Sequence, residues 1–447
     1  MGMIAPARAT PAARPLQRAG LDWAGQLLRG RPRPQGVWGE TVRAGGDVGK
    51  VDRGRPGTAV ARLRAGLLAA LAGGFGEALW LFATLRVAFS LFALLTSYLS
   101  RLPAPCAGGE RAPVLQATGR AFRLLGVWQR WDACWYEQIA ATGYRPGGPA
   151  VAFYPLYPLL MRAASLPLAD NLTLGGLAVS GAAYIAAMTG LYRLVRDDFD
   201  DPVARRAMLY LSIFPTAFFL FAPFTEALFL ALAVWSLHTA RRGAWGWAAL
   251  VGFLAGVTRA QGALLVLPLG WECLRWWRGQ GRPWPRRIPV GLVPLLPPCG
   301  FLLFNAYSKI HAGWTGAEAL QTWGFHYRMP WTAISLSWRH IRARGDAIEA
   351  LNLALLALFT VALVAGLRRL PISYTLYAAP QLLVIGSREM YLSPLMSSSR
   401  YVLVLFPVFI LLALLGRHRR LHYSWLILSL LLLGFLFYTF LSGPFVA

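Results

Sequence analysis

An aspartate among aromatic residues is the feature of this sequence best suited to chemistry. Asp132 lies in the segment RWDACWYEQIAATGY of residues 130–144, shortly before the segment FYPLYP of residues 153–158. A carboxylate flanked by rings is costly to remove from water unless it is paired or used. In a partly dry site a carboxylate can act as a general base. We therefore predict that Asp132 is the catalytic base, with an ion pair to Arg130 or Arg259 as the alternative.

Four arginines are candidates for binding an anionic group near this base. The guanidinium group presents a planar fork of donors that matches phosphate oxygens. Arg259 and Arg400 each stand at the end of an apolar run, and Arg130 and Arg388 are further candidates. The alternative is that each arginine only extends to lipid headgroups.

Aromatic and polar residues near these charges are predicted to contact a substrate. They are Trp131, Trp135, Tyr136, Tyr144, Tyr154, Glu226 and Gln261. The aromatic residues fit an aromatic belt at a membrane surface equally well, so belt and sugar platform both stay open. Glu226 also fits the first turn of a helix, where an acidic side chain interacts favourably with the helix dipole.

The sequence gives no sign of a metal or cofactor site. The four cysteines have no metal-binding spacing, although Cys106 and Cys134 would share a compartment and could pair. The acidic run DDFDD of residues 197–201 resembles a metal-binding cluster. Because arginines surround it, we predict a solvated cytoplasmic loop instead. The sequence also lacks a Walker-type glycine-rich loop, which argues against an ATP-driven pump.

Composition indicates the class of protein that holds these residues. Of the 447 residues, 56% are hydrophobic and only 14% are charged, which exceeds what one soluble core would use. The net charge of +25 comes largely from arginines in short clusters between apolar runs. Such clusters orient membrane proteins, so we predict a multi-pass protein of the cell membrane and no nucleic-acid partner.

Apolar windows of about 20 residues predict an all-α bundle of eleven transmembrane helices. The first runs from about Glu77 to Leu99 and the second from about Leu172 to Val195. Short turns at 222–226 and 258–262 divide the next four, and five follow from about Ile288. The arginine clusters place the N-terminus in the cytoplasm. Asp132, Glu226, Arg259, Gln261, Arg388, Glu389 and Arg400 then all lie on the extracytoplasmic side.

Two segments outside the predicted spans have their own character. Residues 1–64 are rich in Arg, Pro, Gly and Ala, and we predict a disordered basic cytoplasmic tail before a transmembrane catalytic domain at 65–447. The first extracytoplasmic loop, from about Arg101 to Asp170, is long and aromatic. We predict that it contains helices lying in the membrane interface.

These motifs resemble those of one enzyme family. The pattern WDxxWYxxIAxxGY followed by FYPLYP is similar to that of the PIG-V family, which includes GPI mannosyltransferase 2 and bacterial relatives. The resemblance continues in FPTAFF at 214–219, FTEALFL at 224–230, TRAQG at 258–262 and SRYVLVLFP at 399–407. Trp135 and Tyr136 stand where eukaryotic members often have His-Phe, and Thr225 stands where serine is common.

The resemblance implies a membrane glycosyltransferase of the GT-C class. Such an enzyme takes a sugar from a polyprenyl-phosphate carrier and transfers it, with inversion, to a lipid, glycan or protein acceptor outside the membrane. It implies mannose as the sugar and Asp132 as the conserved acid of the first loop. A lipid-linked sugar transporter or flippase, and a surface-polysaccharide polymerase or ligase, are the alternatives. A transporter of this kind is expected to show internal repeats or matching broken helices, and the sequence has no convincing repeat.

Overall fold

The computed structural model describes residues 74–100, 102, 103, 106, 123–279, 288–390 and 393–443. Nearly all secondary structure in these residues is helical, which confirms the all-α class. The predicted tail at residues 1–64 lies outside the described residues.

The described residues form the following α-helices and strands. The elements are α1 Gly76–Leu99, α2 Asp132–Thr142, α3 Leu156–Ser165, α4 Leu172–Asp198, α5 Asp201–Ser212, α6 Glu226–Arg241, α7 Trp245–Gly256, α8 Val266–Gly279, α9 Ile288–Leu292, α10 Leu296–Ala312, α11 Gly316–Thr322, β1 Phe325–Tyr327, α12 Pro330–Arg344, α13 Ala347–Gly366, α14 Ile372–Ser387, β2 Arg388–Met390, α15 Ser398–Tyr401, α16 Phe406–Leu415 and α17 Arg419–Ser442.

Five helical segments in the described part of the chain are long and apolar enough to cross a membrane. They are α1, α4, Pro289–Ala312, α13 and α17. The segments Ser398–Val404 and Phe406–Leu415 meet at 81°, and they give a sixth span if the bent pair is counted as one. Helices occur at the other predicted positions too, but α5, α6, α7, α8 and α14 have only 12–16 residues each.

The shorter helices are apolar largely because they are buried in the protein core. Most side chains of α6 are buried, and so are Phe218 and Phe219 in the 3-10 turn that precedes it. A buried helix and a lipid-facing helix are both apolar, so a hydropathy window cannot separate them. The prolines of this region add breaks, because Pro215 and Pro223 interrupt the apolar run between α5 and α6.

A close helix crossing positions one of the predicted arginines. A Cβ atom at Gly256 would lie 2.0 Å from the carbonyl oxygen of Pro297, so only glycine lets the end of α7 approach α10 this closely. A 3-10 turn at Ala260–Leu265 follows, and Arg259 immediately precedes it. The chain is thus redirected at Arg259 by packing instead of continuing as a straight helix.

A short ribbon joins two loops that are far apart in sequence. Strands β1 and β2 pair antiparallel, with Tyr327 opposite Arg388 and His326 opposite Glu389. Arg328 forms an ion pair with Glu389 and donates its backbone N–H to the Ser387 carbonyl. These loops were both predicted to be extracytoplasmic, and the ribbon brings them together.

The described ion pairs fall into two groups that match the predicted sides. Asp197 and Asp198 pair with Arg242 and Arg241, and Asp200 and Asp201 pair with Arg417 and Arg205. The segment at 197–201 has the exposure predicted for a solvated loop, since Asp197 and Asp198 are exposed. It is a tight joint where α4 ends and α5 begins, with four of its acids held by arginines from predicted cytoplasmic segments. No described ion pair joins residues from opposite predicted sides.

Candidate functional site

Arg400 lies at the centre of the predicted catalytic residues. Its Nη1 donates to Asp132 Oδ2 at 2.6 Å, and its Nε donates to Glu226 Oε1 at 2.5 Å. The side chain of Arg400 is 4% exposed and that of Asp132 is 22% exposed. Asp132 therefore forms an ion pair, but its partner is Arg400; neither Arg130 nor Arg259, the partners considered from the sequence, fills this place.

Glu226 connects Arg400 to the second arginine. Its Oε1 also accepts from Arg259 Nη1 at 2.6 Å, and its side chain is fully buried. Arg259 Nη1 also donates to the hydroxyl of Thr225 at 3.0 Å. Glu226 is the first residue of α6, which confirms that it begins a helix. Its carboxylate holds Arg259 and Arg400, and contact with a substrate stays a prediction. Neither Arg259 nor Arg400 extends to the surface as a headgroup contact would require.

The backbone is strained just before two of these residues. Trp131 has φ 45° and ψ −112°, and α2 begins with Asp132 directly after it. Ser397 has φ 68°, and α15, which carries Arg400, begins after it. Residues other than glycine rarely adopt positive φ, and where they do the surrounding structure holds them there, often at functional sites. The strain is thus consistent with a site at Asp132 and Arg400.

Tyr401 is a member of the site that the sequence did not single out. The guanidinium carbons of Arg388, Arg259 and Arg400 lie 4.4, 5.3 and 5.8 Å from the centre of its ring. Three cations around one ring use its negative faces and hold it in place. Its position directly after Arg400 was the only signal available, since an aromatic ring inside an apolar run is common.

Arg388 reaches the site through aromatic contacts. It lies over the rings of Phe325 and Tyr401, at 4.6 and 4.4 Å, and it is 8% exposed. No carboxylate pairs with it in the part of the chain that the structure describes. Pairing of β1 with β2 puts Arg388 in this place, opposite Tyr327.

The cluster carries one more positive charge than negative. We count Asp132 and Glu226 against Arg259, Arg388 and Arg400, which gives two negative and three positive charges. A buried guanidinium without a counter-ion is costly. Glu226 Oε2 is also buried, and no described residue donates a hydrogen bond to it. One anion bound beside Arg388 would balance the remaining positive charge.

Two of the predicted aromatic residues pack against Phe153. Trp135 stacks on Phe153 and lies 5.5 Å from Trp323, and Tyr136 packs edge-on against Phe153. The Tyr136 hydroxyl lies 3.4 Å from the Thr225 hydroxyl, which connects it to the Arg259 contact. Burial, followed by the charge of Asp132, raises the pKa of Tyr136, so its hydroxyl is a neutral donor. Tyr136 thus borders the ion-pair cluster.

The other predicted contacts lie beside the cluster or away from it. Trp131 packs edge-on against Phe440 of α17. Gln261 Oε1 is 3.5 Å from Arg259 Nε, which is a long contact. Tyr144 donates its hydroxyl to the Phe153 carbonyl, and Tyr154 accepts from Asn305 on α10. The Tyr154 hydroxyl therefore ties the loop to α10, and the Tyr144 hydroxyl ties two parts of the loop together. Neither hydroxyl takes part in the ion-pair cluster.

Arg130 positions the loop that carries Asp132. Its Nη2 donates to the carbonyl oxygens of Pro103 and Leu441, at 3.0 and 3.2 Å. A disulfide between Cys106 and Cys134 closes the same loop, which confirms that these two cysteines pair. Among the four predicted arginines, Arg259, Arg388 and Arg400 lie around Tyr401, whereas Arg130 donates to backbone carbonyls.

Neither the comparisons with known proteins nor a metal-binding group of the described side chains identifies the function of this site. The chain matches no protein-family model, no curated protein and no solved structure. Among the described residues no group of three or more His, Cys, Asp or Glu side chains could hold a metal ion. The evidence for a function therefore lies in the geometry and chemistry of the site.

Proposed function

We propose that this protein is an integral membrane glycosyltransferase. It transfers a sugar, with mannose as the first choice, from a polyprenyl-phosphate donor to an acceptor hydroxyl on the extracytoplasmic face. The single observation that carries the proposal is the cluster in which Asp132, Arg400, Glu226 and Arg259 are joined by ion pairs of 2.5–2.6 Å. It places one partly exposed acid next to buried cations at a helix start.

The chemistry needs these parts in this arrangement. The acceptor hydroxyl attacks the anomeric carbon, its proton passes to the Asp132 carboxylate, and the bond from that carbon to the phosphate oxygen breaks on the opposite face. Configuration at the carbon is inverted. The leaving lipid phosphate gains negative charge, which buried arginines stabilise strongly because water is excluded. Arg259, Arg388 and Arg400 supply the positive charge that stabilises the phosphate.

The extra positive charge of the cluster favours a singly charged donor. A phosphodiester such as a polyprenyl-phosphate sugar brings one negative charge, which balances the three guanidiniums and two carboxylates. A diphosphate would bring more charge than the cluster balances. The bound donor would then give Arg388 the counter-ion that it lacks among the described residues.

Two observations support an extracytoplasmic site. Disulfides persist in oxidising compartments, and the bridge from Cys106 to Cys134 joins the residue two positions after Asp132 to the same loop. The ion pairs of the site also involve only residues that the arginine distribution places on that side. The five or six segments able to cross a membrane make the membrane location itself the simplest interpretation of the fold.

Transfer of labelled sugar tests the proposal. Membranes containing wild type, Asp132→Asn or Asp170→Asn protein are given polyprenyl-phosphate mannose. Asp170 is a matched control, because it lies at the end of the same loop in an exposed ion pair with Arg162. We expect transfer by wild type and the Asp170 variant only. Full activity of the Asp132 variant would refute its role as base.

The same assay separates the alternatives. Use of a glucose or arabinose carrier in place of mannose would change the sugar and keep the class. Passage of the intact lipid-linked sugar across the bilayer without transfer would show a transporter. Transfer of whole oligosaccharides would show a polymerase or ligase.

A further inference from the structure

Helix α12 presents an unusual surface on the predicted extracytoplasmic side. Trp331, Ile334 and Trp338 recur at helical spacing along one face and are 68%, 40% and 50% exposed. The opposite face is buried, with Ala333 and Ser337 directed toward the bundle. Large exposed rings in a row indicate a surface that meets something other than water.

The same helix is strongly basic. Arg339, Arg342 and Arg344 are exposed, and none of them pairs with a carboxylate in the described part of the chain. Residues 330–344 contain no aspartate or glutamate. Arg342 lies 4.8 Å above the ring of Trp338, so the charge and the aromatic surface form one face. The arginine distribution that orients membrane proteins does not explain a basic cluster on this side.

Helix α12 is joined firmly to a segment able to cross the membrane. Only Gly345 and Asp346 separate it from α13. Asp346 accepts the backbone N–H groups of Ile348 and Glu349, and it pairs with His340 of α12. Since the start of a transmembrane helix lies at headgroup depth, α12 is held at that depth.

We infer that α12 binds anionic phospholipid headgroups of the surrounding bilayer. Tryptophan favours the headgroup region, and each arginine near an anionic surface adds about fivefold to binding. A helix with an aromatic face and unpaired cations lies flat in such an interface. The inference does not depend on the proposed sugar transfer.

Two contacts connect α12 and the neighbouring α13 to the candidate site. Helix α12 packs against β2, which begins with Arg388. Glu349, near the start of α13, accepts hydrogen bonds from the Ser393 hydroxyl and the Leu395 backbone N–H, shortly before Arg400. The bilayer surface is thereby held next to two of the arginines that face the predicted lipid phosphate.

Spin-label accessibility in nanodiscs tests the inference on the full chain. Ile334→Cys carries the label, and Ala317→Cys on α11, also exposed, is the control. Cys273 and Cys299 are replaced by alanine in both proteins. With phosphatidylglycerol present we expect the ratio of oxygen to aqueous nickel accessibility to be several-fold higher at residue 334 than at residue 317. In phosphatidylcholine alone the ratio at residue 334 should fall.

Charge variants separate headgroup binding from simple apolar contact. Replacing Arg339, Arg342 and Arg344 by glutamine should remove the dependence on phosphatidylglycerol, whereas lysine at all three positions should keep it. Equal ratios at residues 334 and 317 would place α12 in water and overturn the inference. Low access of both reagents at residue 334 would show a protein partner and also overturn it. A ratio that is the same in both lipids and unchanged by glutamine would do so as well.

Discussion

Loss of the Glu226 charge should destabilise the protein because two buried arginines depend on it. Glu226→Gln keeps the size of the side chain and removes the charge that accepts from Arg259 and Arg400. Removing one partner from a buried ion pair costs about 3–5 kcal/mol, since the remaining charge is left uncompensated. The cluster would change from one excess positive charge to two. We expect a loss of unfolding free energy in this range, together with loss of sugar transfer.

A double-mutant cycle measures the coupling directly. Unfolding is followed in mixed detergent and dodecyl sulfate micelles for wild type, Glu226→Gln, Arg400→Gln and the double variant. The double variant should lose less than the sum of the two single losses, by about 1–3 kcal/mol, because each single variant already breaks the same ion pair. Arg241→Gln with Glu226→Gln is the matched control, because Arg241 pairs instead with Asp198 and Glu272. That control should be additive.

The cycle can also contradict the reasoning. A Glu226→Gln protein as stable as wild type would mean that Arg259 and Arg400 find other partners. Additive losses for Glu226 and Arg400 would mean that the 2.5 Å contact contributes nothing to folding. Either result would remove the charge balance on which the anion site rests.

Three further predictions concern single features of the site and its loop. Asp132→Asn should lower sugar transfer by about 10²- to 10⁴-fold, because the variant has no base to accept the proton. Folding should be retained, because Arg400 keeps its bond to Glu226. Normal transfer would exclude the base role. Tyr401→Phe keeps the ring among the three arginines and removes only the hydroxyl, which we expect to donate to the charged substrate. Transfer should therefore fall about tenfold at unchanged stability, whereas Tyr423→Phe on α17 should have no effect. Equal activity of both variants would leave Tyr401 with a packing role alone. Replacing Cys106 and Cys134 by alanine should lower the unfolding free energy by about 3–4 kcal/mol, because the closed loop is lost. On intact cells, a membrane-impermeant thiol reagent should label Cys106 only after treatment with an impermeant reductant. Labelling that needs permeabilised cells would place the loop in the cytoplasm.

The sequence located the site better than it described the contacts. Rare charges in apolar context were assigned to one side, and the structure brings Asp132, Glu226, Arg259 and Arg400 together. Which arginine pairs with Asp132 could not be foreseen, because that depends on the 81° bend after Val404 and on the strained residues before α2 and α15. Contacts across 268 residues of sequence are set by packing, not by local pattern.

The count of eleven spans stays a prediction for a related physical reason. Hydropathy measures whether a segment avoids water, and it gives the same answer for a helix in lipid and a helix in a protein core. Helix α6 is apolar and mostly buried by its neighbours, whereas α1 and α17 expose many large apolar side chains. The aromatic residues were ambiguous in the same way: Trp135 and Tyr154 pack inside the protein, and only contacts could decide that.

The ion pair of Asp132 does not oppose its proposed role as base. Arg400 contacts only Oδ2, while Oδ1 accepts no hydrogen bond within the described residues and the side chain is 22% exposed. One oxygen can therefore hold the arginine while the other accepts a proton.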